Sequence, residues 1–325
     1  MMNEEEFEDY RMHHALAMEA TMRIFFVGDT RTPFMRQDYE MLKEEYTTFL
    51  FDTGKHPYSK NTVVRYLVAC LKEIRELWKS DVVWIWSARE HTLPFILMAK
   101  VCGVLSVVNV GGWEIYSHPE INHGNQLNPV RGYISRWIIR HADIIVVPSY
   151  AYVDSIEKIA PHADVRVIPN FIDSLWEEPL PKKQPLVVTA CCSDTARLIK
   201  GVDVFEKVRY SGAMKIVLGD MPRAEYIAIL KSAKVYCQLS LEEMFGISLV
   251  EAMACGCVPV VSDHGALPGV VGGTGVVVPY GDVDATEKAI EKAMEMSGLP
   301  ARCRSAQFSK DRKKKLVKEL FERLP

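Results

Sequence analysis

Short apolar runs alternate with amphipathic stretches along most of the chain. Residues 22–29, Met-Arg-Ile-Phe-Phe-Val-Gly-Asp, read as a buried strand ending in a glycine turn. The pattern then predicts helices near 35–45, 61–79, 91–101, 130–141 and 149–159, interleaved with strands at 46–51, 81–86, 104–110, 143–147 and 164–168. Such alternation builds a parallel sheet covered on both faces, which receives ligands at the C-terminal ends of its strands. Pro169-Asn170-Phe171-Ile172-Asp173, followed by Pro179, Pro181 and Pro185, marks a change of domain. Beyond it the alternation restarts, with strands at 185–191, 214–218, 234–239, 258–262 and 275–278 and helices at 202–209, 222–232, 284–297 and 309–323.

One stretch, Ser240 to Val261, carries the densest chemistry. It holds two carboxylates eight residues apart, Glu243 and Glu251, with the breaker pair Phe245-Gly246 between them. A helix that starts at a glycine leaves its first N–H groups unpaired, and its dipole adds partial positive charge there, so that end suits a phosphate. The carboxylates on either side are placed to accept hydrogen bonds from sugar hydroxyls. Arg197 and Lys200, beside Gly201 at another predicted helix start, make a second phosphate-binding feature.

Glu243-Met-Phe-Gly, together with Glu251-Ala-Met-Ala-Cys-Gly-Cys-Val-Pro-Val-Val, resembles the E-x7-E signature of retaining family 4 glycosyltransferases with the GT-B fold. The Arg197 to Gly201 element and the proline-rich segment after residue 168 resemble that family's R…KG element and interdomain hinge. The resemblance implies an α/β chain of two Rossmann-like domains with a cleft between them. Residues 22–172 would form the acceptor domain and 173–305 the nucleotide-sugar donor domain, with 306–325 packing back as a helix on the first domain. Residues 1–21, with six acids and one arginine, read as an appendage.

The reaction implied moves a sugar from a nucleotide-diphosphate donor to an acceptor hydroxyl with retained configuration. Glu243, Lys200 and Arg197 would be catalytic. Glu251, the main chain of Phe245, Gly246 and Ile247, and Gly28 would bind the donor. Gly112, His118 and His123 are candidates on the acceptor side. No cofactor is expected: the nucleotide sugar is a substrate, and no essential metal is implied. The acceptor is open among a glycan, a lipid and a small molecule. The rival readings are an epimerase or hydrolase on the same fold and a non-catalytic sugar-nucleotide-binding subunit, since fold does not settle chemistry.

The chain departs from the family in four places. Arg197 stands three residues before the lysine, not five, with Thr195 at the usual position. Val110-Gly111-Gly112-Trp113-Glu114 occupies the place of a sugar-contacting histidine. Met214 to Asp220 runs straight into Met221-Pro222 without the strand and loop that usually face the base. Gly265 replaces a common glutamate.

Composition narrows the partners. Of the 325 residues 48% are apolar and 25% charged, and the formal charge of −3 gives no general attraction to nucleic acid. The eight cysteines form no CxxC pair and read as reduced core residues of a cytoplasmic protein. The uncharged apolar stretch Val101 to Trp113 is too short to span a bilayer. Helix 130–141 sets Val130, Tyr133, Ile134, Trp137 and Ile138 on one face and Arg131, Arg136 and Arg140 elsewhere. That face is expected to be core, with peripheral contact at the inner face of a membrane as the alternative. Asp282-Val283-Asp284 is expected to cap a helix, and Lys313-Lys314-Lys315 to be a solvated face.

Overall fold

The computed structural model describes residues 22–324, apart from 57, 60, 61, 174, 177, 178, 181, 192–195 and 220. The acidic segment 1–21 and Thr195 lie outside the described residues.

The first half is a six-stranded parallel sheet. Its strands are β1 (Arg23–Gly28), β2 (Thr47–Asp52), β3 (Val82–Trp86), β4 (Leu105–Asn109), β5 (Ile144–Val147) and β6 (Asp164–Val167), in the order β2-β1-β3-β4-β5-β6. β3 and β5 are buried along their whole length, as unbroken apolar runs between two helical layers should be. The helices are α1 (Pro33–Glu45), α2 (Val63–Lys72), α3 (Ile74–Trp78), α4 (Leu93–Cys102), α5 (Pro129–His141) and α6 (Val153–Ile159). The single helix expected over 61–79 is two. The turn tightens at Glu73, whose N–H reaches Cys70 O and whose own carbonyl takes Glu76 N–H, each at 3.1 Å and each an i to i+3 bond.

The second half is a five-stranded parallel sheet, β11-β10-β9-β7-β8. Its strands are β7 (Gln184–Cys191), β8 (Ala213–Leu218), β9 (Ala233–Gln238), β10 (Val258–Ser262) and β11 (Val276–Val278). Its helices are α7 (Val202–Phe205), α8 (Arg223–Ser232), α9 (Ile247–Ala254), α10 (Leu267–Val271), α11 (Val283–Glu295) and α12 (Leu299–Ser305), and the terminal α13 (Lys310–Phe321) follows. Two of these, α10 and α12, were not visible in the pattern, being too short for a period to show. Both have proline in the first turn. Asp282 caps α11, accepting from Ala285 N–H at 2.8 Å.

In each sheet the order reverses beside the first strand, between β1 and β3 and between β7 and β9. Ligands of doubly wound sheets bind at such points.

α13 returns to the first half. Val317, Leu320 and Phe321 are buried with Met22, Ile24, Phe26 and Trp84, and the Phe321 ring stands edge-on to Tyr46 at 5.3 Å. The lysine triplet is a solvated face only at Lys315, which is 68% exposed. Lys313 shares the helix stripe of Val317, Leu320 and Phe321, and is only 3% exposed, with Nζ 2.5 Å from Asp38 Oδ1 on α1. Lys314 pairs with Glu44 at 2.9 Å and Glu45 at 2.5 Å. On α5 the face expected to be core is so only in part: Ile138 is buried beside Ile139, Ile134 and Trp137 are partly buried, and Val130 and Tyr133 are 66% and 60% exposed. The arginines are engaged within the first half: Arg131 with Glu90 at 3.4 Å, Arg136 with the Gln126 amide oxygen, and Arg140 with Ile159 O at 2.9 Å. Among the described residues no helix is long and apolar enough to cross a membrane.

Candidate active site

The loop after β9, at the reversal point of the second sheet, delivers Glu243 into the cleft. Glu243 Oε2 accepts from Lys200 Nζ at 2.5 Å and from the Gln238 side-chain amide. Lys200 reaches it because Gly201 (φ 65°) lets its turn press on the loop: a Cβ there would lie 1.8 Å from Leu239 O. Leu241 N–H to Ile199 O, at 2.9 Å, ties the two segments together.

Four residues after Leu241, Phe245 buries its ring edge-on against Phe308 at 5.2 Å. What Phe245 offers a ligand is therefore main chain. α9 starts at Gly246 (φ 90°) with no side-chain cap, so its first N–H groups remain for a ligand. Ile247 packs partly on the core. One turn further on, Glu251 is 5% exposed, with Arg223 Nη1 2.5 Å from its Oε1. Burial pushes its carboxyl up from the ordinary range, and Arg223 pulls it back.

The first half closes over this group. The Tyr152 hydroxyl, placed by the turn after β5, lies 2.9 Å from Glu243 O and reaches the Glu242 carboxylate. Tyr116 OH is 3.3 Å from it, and His118 Nε2 is 3.6 Å from Glu242 Oε2. Burial, then the neighbouring Glu242, pushes the Tyr152 hydroxyl far up, so it stays a donor. His123 stands against Trp113, with ring centroids 4.4 Å apart. Burial, then His118 and Lys200, lowers its pKa and favours the neutral ring. Gly112 (φ 112°) lies against the Glu243 loop: a Cβ would sit 2.6 Å from Met244 Cγ. Gly265 (φ 58°) leaves no room for the glutamate of related sequences, since a Cβ would lie 2.5 Å from Glu243 O and 2.6 Å from Tyr152 OH.

Two expected members are placed otherwise. Arg197 pairs with Glu206, not with the Lys200–Glu243 group. Gly28 faces its own half: a Cβ would meet the Phe26 ring at 2.8 Å and Trp86 Cβ at 3.6 Å. Among the described residues no three His, Cys, Asp or Glu side chains cluster as a metal requires.

Tyr152, Glu242, Gln238 and Arg223 were missed in the sequence. Arg223 had a signal, because a cation opening a helix works against the dipole and needs a partner.

Two family models match this architecture half by half. Glycosyltransferase Family 4 covers residues 22–174, and Glycosyl transferases group 1 covers 211–310. The chain belongs to the group 1, family 4 glycosyltransferases. Over 163 residues it is 31% identical to the phosphatidyl-myo-inositol mannosyltransferase of Mycobacterium leprae, covering 46% of this chain and 44% of that protein. Over 78 residues it is 35% identical to O-antigen chain mannosyltransferase B of Escherichia coli, covering 24% of this chain and 20% of that one. The aligned stretches thus span less than half of either relative. The sucrose-phosphate synthase of Thermosynechococcus elongatus superposes with a TM-score of 0.70 at 15% identity, over 92% of this chain and 98% of that one. Anabaena HepE in complex with UDP also gives 0.70, at 14% identity, over 93% and 100%. The glycosyltransferase fold is therefore GT-B, as the signature implied.

Proposed function

We propose that this glycosyltransferase moves a sugar from a nucleotide-diphosphate donor to an acceptor hydroxyl with retention of configuration. The observation that carries the reading is the Lys200–Glu243 pair beside the open N-terminus of α9, under loops of the other half. The bond between the anomeric carbon and the diphosphate oxygen breaks, a bond from that carbon to the acceptor oxygen forms, and the acceptor proton leaves with the nucleoside diphosphate. Negative charge grows on the leaving phosphate, where Lys200 and the α9 N–H groups stabilise the transition state more than the ground state. Glu243 favours positive charge on the sugar. Glu251 accepts from the ribose hydroxyls. Closure of the halves excludes water.

In this reading Lys200 supplies the cationic charge at the diphosphate, and no metal takes part. The mannosyltransferase relatives and the UDP-bound HepE support a sugar-nucleotide donor. The phosphatidyl-myo-inositol mannosyltransferase supports a lipid acceptor beside the glycan and small-molecule ones. The protein acts in the cytoplasm, in peripheral contact with a membrane.

The test is a thermal-shift screen against UDP, GDP, ADP, CDP and TDP with and without EDTA, then a product assay with the matching nucleotide sugar. A nucleotide at one hundred times its Kd adds about 2.7 kcal/mol. The expected result is one responder unaffected by EDTA, with nucleoside diphosphate released only when acceptor is present. Release without acceptor would make the protein a hydrolase, and binding without release in any mixture would make it a binding subunit.

A further inference from the structure

α2 carries two apolar stripes. One, with Tyr66 and Cys70, is core and continues into Leu77 of α3. The other faces outward: Val64, Leu67, Val68, Leu71, Ile74 and Trp78 are between 37% and 71% exposed. Steps of three and four residues keep Val64, Leu67, Val68 and Leu71 on one face of α2, and Ile74 and Trp78 stand four apart on α3, beyond the turn at Glu73. α4, packed against α3, adds Leu97 and Val101 at 46% and 84% exposed. Beside the stripe runs a row of cations in step with it: Arg65 follows Val64, Lys72 follows Leu71, and Lys79 follows Trp78, with Arg75 also exposed. Glu76 pairs with Lys79 at 2.8 Å and also faces Arg75, and Asp143 lies 3.6 Å from Lys100, whereas among the described residues no carboxylate pairs with Arg65 or Lys72.

We propose that this face of α2, α3 and α4 lies on an anionic lipid bilayer. The charge pattern selects that occupant. The chain as a whole is at −3, so the cationic row is local and has no general electrostatic origin. An aliphatic stripe with an aromatic at one end and cations along its flank has the composition of a helix lying in a membrane interface. A second copy pairing through the same face would set one cationic row against another, with few acids to offset it. The proposal deepens the peripheral-membrane part of the reading above and moves the contact from α5, whose arginines are engaged within the domain. It does not depend on sugar transfer.

The test is co-sedimentation of the full chain with vesicles of phosphatidylcholine alone and of phosphatidylcholine mixed with phosphatidylglycerol. Binding is expected only with the anionic lipid and is expected to weaken as salt rises. Arg65→Glu with Lys72→Glu should lower it on the order of tenfold or more. Leu71→Ser with Trp78→Ser should weaken it through apolar area alone, while Lys288→Glu on α11 of the other half should leave it unchanged. Each variant is accepted only with wild-type thermal unfolding. Absence of binding to the anionic vesicles, or binding indifferent to the Arg65 and Lys72 reversals, overturns the proposal. A dimer dissolved by Leu71→Asp does so too, by assigning the face to a second copy. No sugar nucleotide is present, so failure here leaves the transfer reading standing, and failure of nucleotide binding leaves this proposal standing.

Discussion

Lys313→Met tests the joint that ties the terminal helix to the first half. In the native protein the Lys313 ammonium lies 2.5 Å from the Asp38 carboxylate, both side chains are at most 3% exposed, and Trp86 and Phe171 present their rings at 5.8 and 5.7 Å. Burial pushes the Asp38 carboxyl up, and Lys313 opposes it. Without the lysine, the carboxyl must stay charged and unpaired or take a proton. Protonating a group whose ordinary value is 3.8 costs about 1.4 kcal/mol per pH unit above that value, hence about 4 kcal/mol at pH 7 and under about 2 kcal/mol at pH 5. The proton route caps the loss, and its size agrees with the roughly 3–5 kcal/mol expected on breaking a buried pair. The sign follows from linkage: the folded variant binds a proton that the unfolded chain releases, so its stability falls as pH rises from about 4 toward 7. Denaturant unfolding of wild type and variant at both pH values reads the difference. Asp38→Asn with Lys313→Met leaves no buried charge and should recover most of the loss. Equal losses at pH 5 and pH 7, or a double variant as weak as the single one, would refute the reasoning.

Three further outcomes test the site. Lys200→Gln should lower kcat by about 10²- to 10³-fold, the scale of one lost transition-state contact, with little change in unfolding midpoint because the pair is partly exposed; a loss under tenfold would remove Lys200 from the chemistry. Tyr152→Phe takes the hydroxyl from the partly buried Glu242 carboxylate, while the Glu243 carbonyl keeps Ala266 N–H at 2.8 Å, and should cost about 1–3 kcal/mol of stability, the scale of one hydrogen bond to a charged group; an unchanged midpoint would show that the two halves do not rely on it. Nucleotide binding, followed by calorimetry, should weaken as pH falls, beginning at a higher pH than an ordinary carboxylate would give, because burial raises Glu251 and only its ionised form accepts both ribose hydroxyls. Arg223→Gln should move that loss to still higher pH, and a pH-independent affinity between 5 and 7 in that variant would exclude Glu251 from the ribose site.

The strands were legible because a buried parallel strand is a contiguous apolar run, and Val82 to Trp86 or Val258 to Ser262 read as nothing else. Helix ends were less so. The break at Glu73 carries no glycine or proline, and α7 stops at Phe205 because the next residues turn by i to i+3 bonds into β8. Lys313 was misplaced for a different reason. Three lysines in a row suggest solvent, but helical spacing puts the first on the buried stripe, and the partner that makes this tolerable lies 275 residues away, at Asp38.

The same asymmetry runs through the site. Glu243, Lys200, Gly246 and Glu251 lie within one half, on segments joined by short loops, and their spacing carries their chemistry. Tyr152, His118 and Gly112 belong to the other half, and what they do depends on how the two sheets face each other, which no local pattern encodes. Glu242 shows the consequence. In sequence it is a second acid beside the signature glutamate. In the fold it is where Tyr152 and His118 take hold of the second half, one residue from Glu243. A loop anchored there ties the position of Glu243 to the opposite half, so in the proposed reaction any closure of the cleft would move the carboxylate with it.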